Sequence, residues 1–148
     1  MGKPLVIKGT GPRNEEVDTS RYQGKIVLVA FWATWADPVR RDLPELAKVH
    51  QKYRPAGFEI IGVSLDSEKS ELDAFLKENP IAWPQIFEPG GMDSRLATEF
   101  GIISLPTMIL VDAQGKVLNR NIRTAAELDR QLEKVVAGKE PGVALGAK

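Results

Sequence analysis

The chain contains no cysteine. Disulfides, thiolate metal sites and every reaction that begins with a cysteine nucleophile are therefore excluded, and the usual sign of redox compartment is lost with them. Histidine is almost as scarce. His50 is the only one, so no pair exists for a zinc or copper site, and no metal or other cofactor is expected. Charge of one sign is not in excess: twenty Lys and Arg balance twenty Asp and Glu, and no basic field invites nucleic acid or an anionic membrane. No apolar run reaches the roughly eighteen residues of a membrane-spanning helix. The opening Met1-Gly2-Lys3-Pro4 lacks the apolar core of a signal peptide. Repeats and low-complexity segments are missing too. What remains is ordinary: 148 residues, 43% hydrophobic and 27% charged, fit one soluble domain long enough to bury a core without staples.

The pattern along the chain alternates buried strands with amphipathic helices. Leu5-Val6-Ile7-Lys8 reads as a short strand before the loop GTGPRNEE. KIVLVAFW, residues 25–32, is a continuous apolar and β-branched run that suits a central strand covered on both faces. A helix is predicted from Pro38 to Arg54. Pro38 lies in its first turn, where a missing N–H costs nothing, and Val39, Leu43, Leu46, His50 and Tyr53 recur at helical spacing. FEIIGVSL, residues 58–65, is a second buried strand, and strand, helix, strand at this spacing is a right-handed parallel unit. Asp66-Ser67 is expected to cap a helix that buries Leu72, Phe75 and Leu76 and stops at Asn79-Pro80. A loop with Trp83-Pro84 and EPGG follows. Asp93 is expected to cap a short helix carrying Leu96, Ala97 and Phe100, with Gly101 past its end. TMILVD, DAQG and KVLNRNI form a hairpin. Thr124 and Glu127 form a capping box for a last helix, packed through Leu128, Leu132, Val135 and Val136 and ended by Gly138. Together these predict an α/β domain over residues 1–138. Its mixed sheet has about four or five strands, with helices on both faces. Residues 139–148 have little to bury and are expected to form a mobile tail.

Three segments carry a resemblance to a known family. GKIVLVAFWATWADPVRRDLPEL resembles the strand, active-site loop and helix of the thioredoxin-like superfamily. GFEIIGVSLD is similar to its second strand, and GIISLPTMILVDAQGKV to its proline loop and hairpin. More narrowly, the chain resembles the bacterial thiol–disulfide oxidoreductases related to TlpA and ResA, from about Gly24 to Ala137. The resemblance implies a thioredoxin-like fold and an extracytoplasmic home. It implies family active-site positions at Trp35, Ala36, Asp37, Pro38, Val39 and Asp42, with Ala36 and Val39 at the two cysteines of the family's Cys-x-Pro-Cys. It also implies a cis bond at Leu105-Pro106, facing that loop. Asp42 matches an acidic position that tunes thiol acidity in some members, and Ala30 stands where thioredoxin itself carries a buried aspartate.

The substitutions remove the chemistry. In the family a cysteine at a helix N-terminus is acidified by the helix dipole, its thiolate attacks a disulfide, and the second cysteine resolves the mixed disulfide. Ala36 supplies no nucleophile and Val39 no resolving group, so no catalytic residue is assigned and no thiol–disulfide exchange or peroxidase activity is expected. Thr34 has a hydroxyl, but no base is evident for it in this stretch. Val39 reads as a packing replacement for a buried cysteine. The lost cross-link closed a very short loop, so its absence costs at most about 2 kcal/mol in the chain-entropy model.

The other suggestive residues have plainer readings. Trp32 reads as core, whereas Trp35 stands open between a partly exposed family aromatic and a recognition side chain. His50 reads as a half-buried structural histidine rather than an acid–base group. Asp37 and Asp42 lie where a helix dipole favours carboxylates, rather than as a hydrolytic pair. EPGGMD lacks calcium-loop spacing, and Arg40-Arg41 read as a solvated face. Three functions stay open. One is a redox-inactive module that binds an extended protein or peptide segment at Trp35, Ala36, Leu105 and Pro106. The others are an oxidoreductase whose cysteines were removed by engineering, and a structural domain of a larger protein.

Overall fold

The structure, a computed structural model, describes residues 4–87 and 89–143, the side chains of 37–40 and 137–143 excepted. Two long apolar runs make its centre. β3 (Ile26–Trp32) and β4 (Phe58–Ser64) pair in parallel from Ile26↔Phe58 to Trp32↔Ser64, joined by helix α1 (Asp37–Tyr53). Every residue of β3 is buried, as a strand covered on both faces requires. β6 (Thr107–Val111) lies antiparallel on the other side of β3, and β7 (Val117–Ile122) antiparallel on β6, giving the order β5-β4-β3-β6-β7 with β5 (Gln85–Phe87) parallel to β4. This is the thioredoxin-like mixed sheet.

Side-chain alternation along β3 divides the core. Ile26, Leu28 and Ala30 face α1 and α4 (Ala125–Val143), packing on Leu46, Val49 and Tyr53 from one helix and Leu128 and Leu132 from the other. Val27, Val29 and Phe31 face the opposite way, onto Leu96 and Ala97 of α3 (Arg95–Glu99) and Leu5, Ile7 and Val17 of the N-terminal segment. Helices therefore cover both faces, as the pattern predicts. Thr124 and Glu127 form the expected capping box: Glu127 N–H donates to Thr124 Oγ1 (3.1 Å), and Thr124 N–H donates to Glu127 Oε1 (3.2 Å).

Several local expectations are corrected. The N-terminal strand is not Leu5–Lys8. β1 (Lys8–Thr10) instead pairs antiparallel with β2 (Glu16–Asp18), and Leu5 N–H reaches Gly115 O (2.9 Å). The segment after Trp83-Pro84 is not all loop, because β5 extends the sheet; its three residues are too few to show a period. α2 (Lys69–Glu78) is capped by a Glu68–Glu71 box rather than by Asp66-Ser67. Ser94, not Asp93, caps α3: its hydroxyl accepts from Ala97 N–H, while Asp93 ends a 3₁₀ turn. α4 continues through Gly138 to Val143. A single glycine costs a helix about 1 kcal/mol and does not by itself end it. Residues 144–148 of the expected tail lie outside the described residues.

Candidate functional site

The site is assembled where three segments meet at one edge of the sheet. β3 ends at Trp32 and enters α1 through Ala33-Thr34-Trp35-Ala36; β4 ends beside it at Ser64; and the turn before β6 arrives from Ile102 to Pro106, with Phe31 paired to Thr107. Leu105–Pro106 is cis, as the resemblance implies.

Ala36 is the N-cap of α1. Its backbone is extended (φ −89°, ψ 102°), and its methyl gives the first turn no hydrogen bond. Ser, Thr, Asp or Asn here would satisfy a first-turn N–H, and alanine forgoes about 1 kcal/mol. Ala36 is also buried, at 6% exposure. It sits in a small apolar cluster with Trp32 and Leu72, against which Leu43, Phe75, Leu76 and Leu105 pack. Ala36 is thus part of an apolar floor rather than an exposed contact. The side chains of Asp37, Pro38 and Val39 lie outside the described residues, so the packing role expected of Val39 falls there; their backbone forms the first turn of α1.

Above this floor the surface is apolar and open. Trp35 is 55% exposed and Ile103 90% exposed, one from each of the two loops. Trp32 has the core position predicted for it. Its ring stands edge-on to Phe75 (5.5 Å, 60°), and its Nε1–H donates to Gln85 Oε1 (2.9 Å).

Two polar residues that sequence reasoning missed hold this edge. The first is Asp66, expected as a helix cap and found fully buried. Thr34 N–H (3.0 Å) and Thr34 Oγ1–H (2.6 Å) donate to its Oδ1, and Ser64 Oγ–H (2.7 Å) donates to its Oδ2. A carboxylate thus lies next to the Thr34 hydroxyl after all. Saturated with donors, it fixes the loop between Trp32 and Trp35. The second is Gln85, whose Oε1 takes the Trp32 bond. An indole N–H only donates, so the amide oxygen must face it, and Gln85 Nε2 is left buried without a protein partner. The signals were faint: Asp66 follows the GVSL run by one residue, and Gln85 opens a strand of three.

Asp42 makes its hydrogen bond to another helix. Its Oδ2 accepts from Ala125 N–H (2.6 Å), so it caps α4 and ties the two helices. His50 belongs to the other end of α1. At 3% exposure it is buried more completely than expected, with Nε2 3.1 Å from Glu59 Oε1 and its ring edge-on to Trp83 (5.4 Å). No cluster of three or more His, Asp or Glu able to hold a metal occurs among the described residues, and no described helix is long and apolar enough to cross a membrane.

Comparison with known proteins agrees with this geometry. The family model described as AhpC/TSA family matches residues 6–120. The thiol-disulfide oxidoreductase ResA of Bacillus thuringiensis subsp. konkukian is 28% identical over 128 residues, 85% of this chain and 72% of the relative. The ResA of Oceanobacillus iheyensis is 32% identical over 122 residues, 79% of this chain and 62% of the relative. Among solved structures, the thioredoxin domain of a thiol-disulfide oxidoreductase from Bacteroides vulgatus superposes with a TM-score of 0.79 at 29% identity, covering 90% of this chain and 95% of that one. A thiol-disulfide oxidoreductase from Bacteroides fragilis gives a TM-score of 0.80 at 27% identity, covering 90% and 98%. The chain therefore belongs to the AhpC/TSA family, with a thioredoxin-like fold and ResA-type thiol–disulfide oxidoreductases among its relatives, and it keeps their framework without either cysteine.

Proposed function

We propose that this chain is a redox-inactive thioredoxin-like domain that binds an extended protein or peptide segment. Trp35, Leu105 and Pro106 form the contact surface, and Ala36 lies in the floor beneath them. One observation carries the reading. Three large apolar side chains are strongly exposed among the described residues, and two of them stand in the segments that meet here, Trp35 next to Ala36 and Ile103 two residues before Leu105; Val6 is the third. Fully burying one such side chain is worth about 1.5–3 kcal/mol, so a partner that covers both gains substantially. An extended segment suits the place, because the loop before β6 can pair with added backbone as a strand would. Without a thiol the surface holds but does not react. An extracytoplasmic setting goes with this reading, and the single domain takes in α4 beyond Gly138.

A panel of arrayed extended peptides, probed with the purified chain, tests the proposal. A subset is expected to bind, and Trp35→Ala and Leu105→Asp are each expected to weaken that binding at least about fivefold, since central aromatic and apolar anchors carry most interface energy. Binding that neither change touches would overturn it. Cysteine codons at 36 and 39 in the source gene would instead make this chain a disabled oxidoreductase. An export signal ahead of Met1 would support the extracytoplasmic setting.

A further inference from the structure

Deepening that reading, and resting on it, we infer that the segment held at this surface is acidic as well as apolar: an extended peptide whose flank toward β7 carries Asp or Glu to meet Arg120 and Arg123. Both arginines are exposed, and both are anchored on the loop that forms the surface. Arg120 Nη2 donates to Phe100 O (3.2 Å). Arg123 Nη1 donates to Pro106 O (2.8 Å) and to Ser104 Oγ (3.1 Å). These bonds occupy one terminal nitrogen of each guanidinium. Neither guanidinium group meets a carboxylate among the described residues, so each has further donors to offer.

The acidic groups of the same neighbourhood are already engaged. Asp42 accepts from Ala125 N–H (2.6 Å), and Glu127 Oε1 accepts from Arg123 N–H (2.6 Å) and Thr124 N–H (3.2 Å), all at the start of α4. Glu99 stands 3.6 Å from Arg95. The loop carrying Ile103 and Leu105 therefore presents an apolar strip bordered by two pre-oriented guanidinium groups with no ion-pair partner among the described residues. A guanidinium fixed by backbone acceptors loses little further freedom on gripping a carboxylate in fork geometry. An acidic, apolar segment is the complement of that surface, and a basic one would be repelled.

Three synthetic peptides with the same apolar core test this, their flanks carrying Glu, Ser or Lys, with binding read by fluorescence anisotropy. The Glu peptide is expected to bind roughly three- to tenfold tighter than the Ser peptide at low salt, as two rim ion pairs allow, and the Lys peptide weakest. The advantage should shrink toward unity in about 0.5 M NaCl. It should also vanish in Arg120→Gln/Arg123→Gln, where each glutamine amide keeps a donor for the loop carbonyls; thermal unfolding checks that the fold is retained. Arg123→Lys should keep much of the preference. Equal binding of Glu and Ser peptides, lost in Trp35→Ala, would overturn the acidic partner while sparing the binding surface. Binding indifferent to Trp35→Ala, or no binding by any of the three, would overturn both.

Discussion

The two ends of α1 are made of opposite materials. The C-terminal end is polar and cross-linked. His50 meets Glu59 at 3.1 Å, Arg54 meets the same carboxylate at 3.6 Å, and Asp129 of α4 takes the Tyr53 hydroxyl at 2.8 Å and Lys52 at 3.1 Å. The N-terminal end has an alanine cap with no side-chain hydrogen bond, set among Trp32, Leu72 and Leu105. Yet the supports behind that end remain: the Asp66 carboxylate under the loop, the Gln85 amide on Trp32 and the cis bond before Pro106. The chain has no cysteine, yet this framework is well braced.

The largest expected effect comes from making the N-terminal end reactive again. Ala36→Cys/Val39→Cys places thiols at both family positions, one of them at the positive end of a helix dipole. The double variant is expected to reduce insulin disulfides in the presence of dithiothreitol at a rate clearly above that of the parent, which should add nothing to the reagent alone. A double variant as inert as the parent would mean that the framework too has lost its function.

Next is the support itself. Asp66→Ala leaves two hydroxyls and one amide without their buried acceptor, so urea unfolding should show a loss of about 3 kcal/mol. The same change should loosen Trp35 and weaken peptide binding. A smaller effect is expected where α1 meets α4: Asp42→Ala removes the acceptor for Ala125 N–H and should cost about 1 kcal/mol, with thiol-free peptide binding little changed.

The smallest effect lies at the polar end. Asp129 is held below the ordinary aspartate value, chiefly by the hydrogen bond from Tyr53 and then by that from Lys52. A depressed carboxylate contributes stability that is present above its unfolded value, near 4, and is lost as pH falls through the lower folded value. Comparing urea midpoints of parent and Asp129→Asn at pH 5 and near pH 2 should show the larger acid loss in the parent. The difference should be a few tenths of a kcal/mol, because the Asp129 side chain is 40% exposed. An identical loss in both would remove Asp129 from the polar end's contribution.

What could be read from the sequence divides along the same line as the molecule. β3 and β4 were legible because seven-residue apolar runs have few other uses, and the Thr124–Glu127 box because it is local. β5 and the β1–β2 hairpin were not, since three-residue strands show no period. Nor were the roles of Asp66, Gln85 and Arg123, whose partners lie 32, 53 and 17 to 19 residues away along the chain. An aspartate beside a serine looks like a helix cap until the fold brings Thr34 to it. The bond from Ala125 N–H to Asp42 was equally hidden, since the two lie 83 residues apart.

The central claim is that the thiol-free end of α1 is a binding surface and the polar end is not. An NMR titration of the isotopically labelled chain with the Glu-flanked apolar peptide tests it most directly, because every backbone amide reports separately. The account predicts saturable shift changes concentrated at residues 33–36 and 102–106 and at Arg120 and Arg123, with Tyr53, Glu59 and Asp129 unmoved. Shifts centred on the groove between α1 and α4, or spread evenly over both ends, would contradict it.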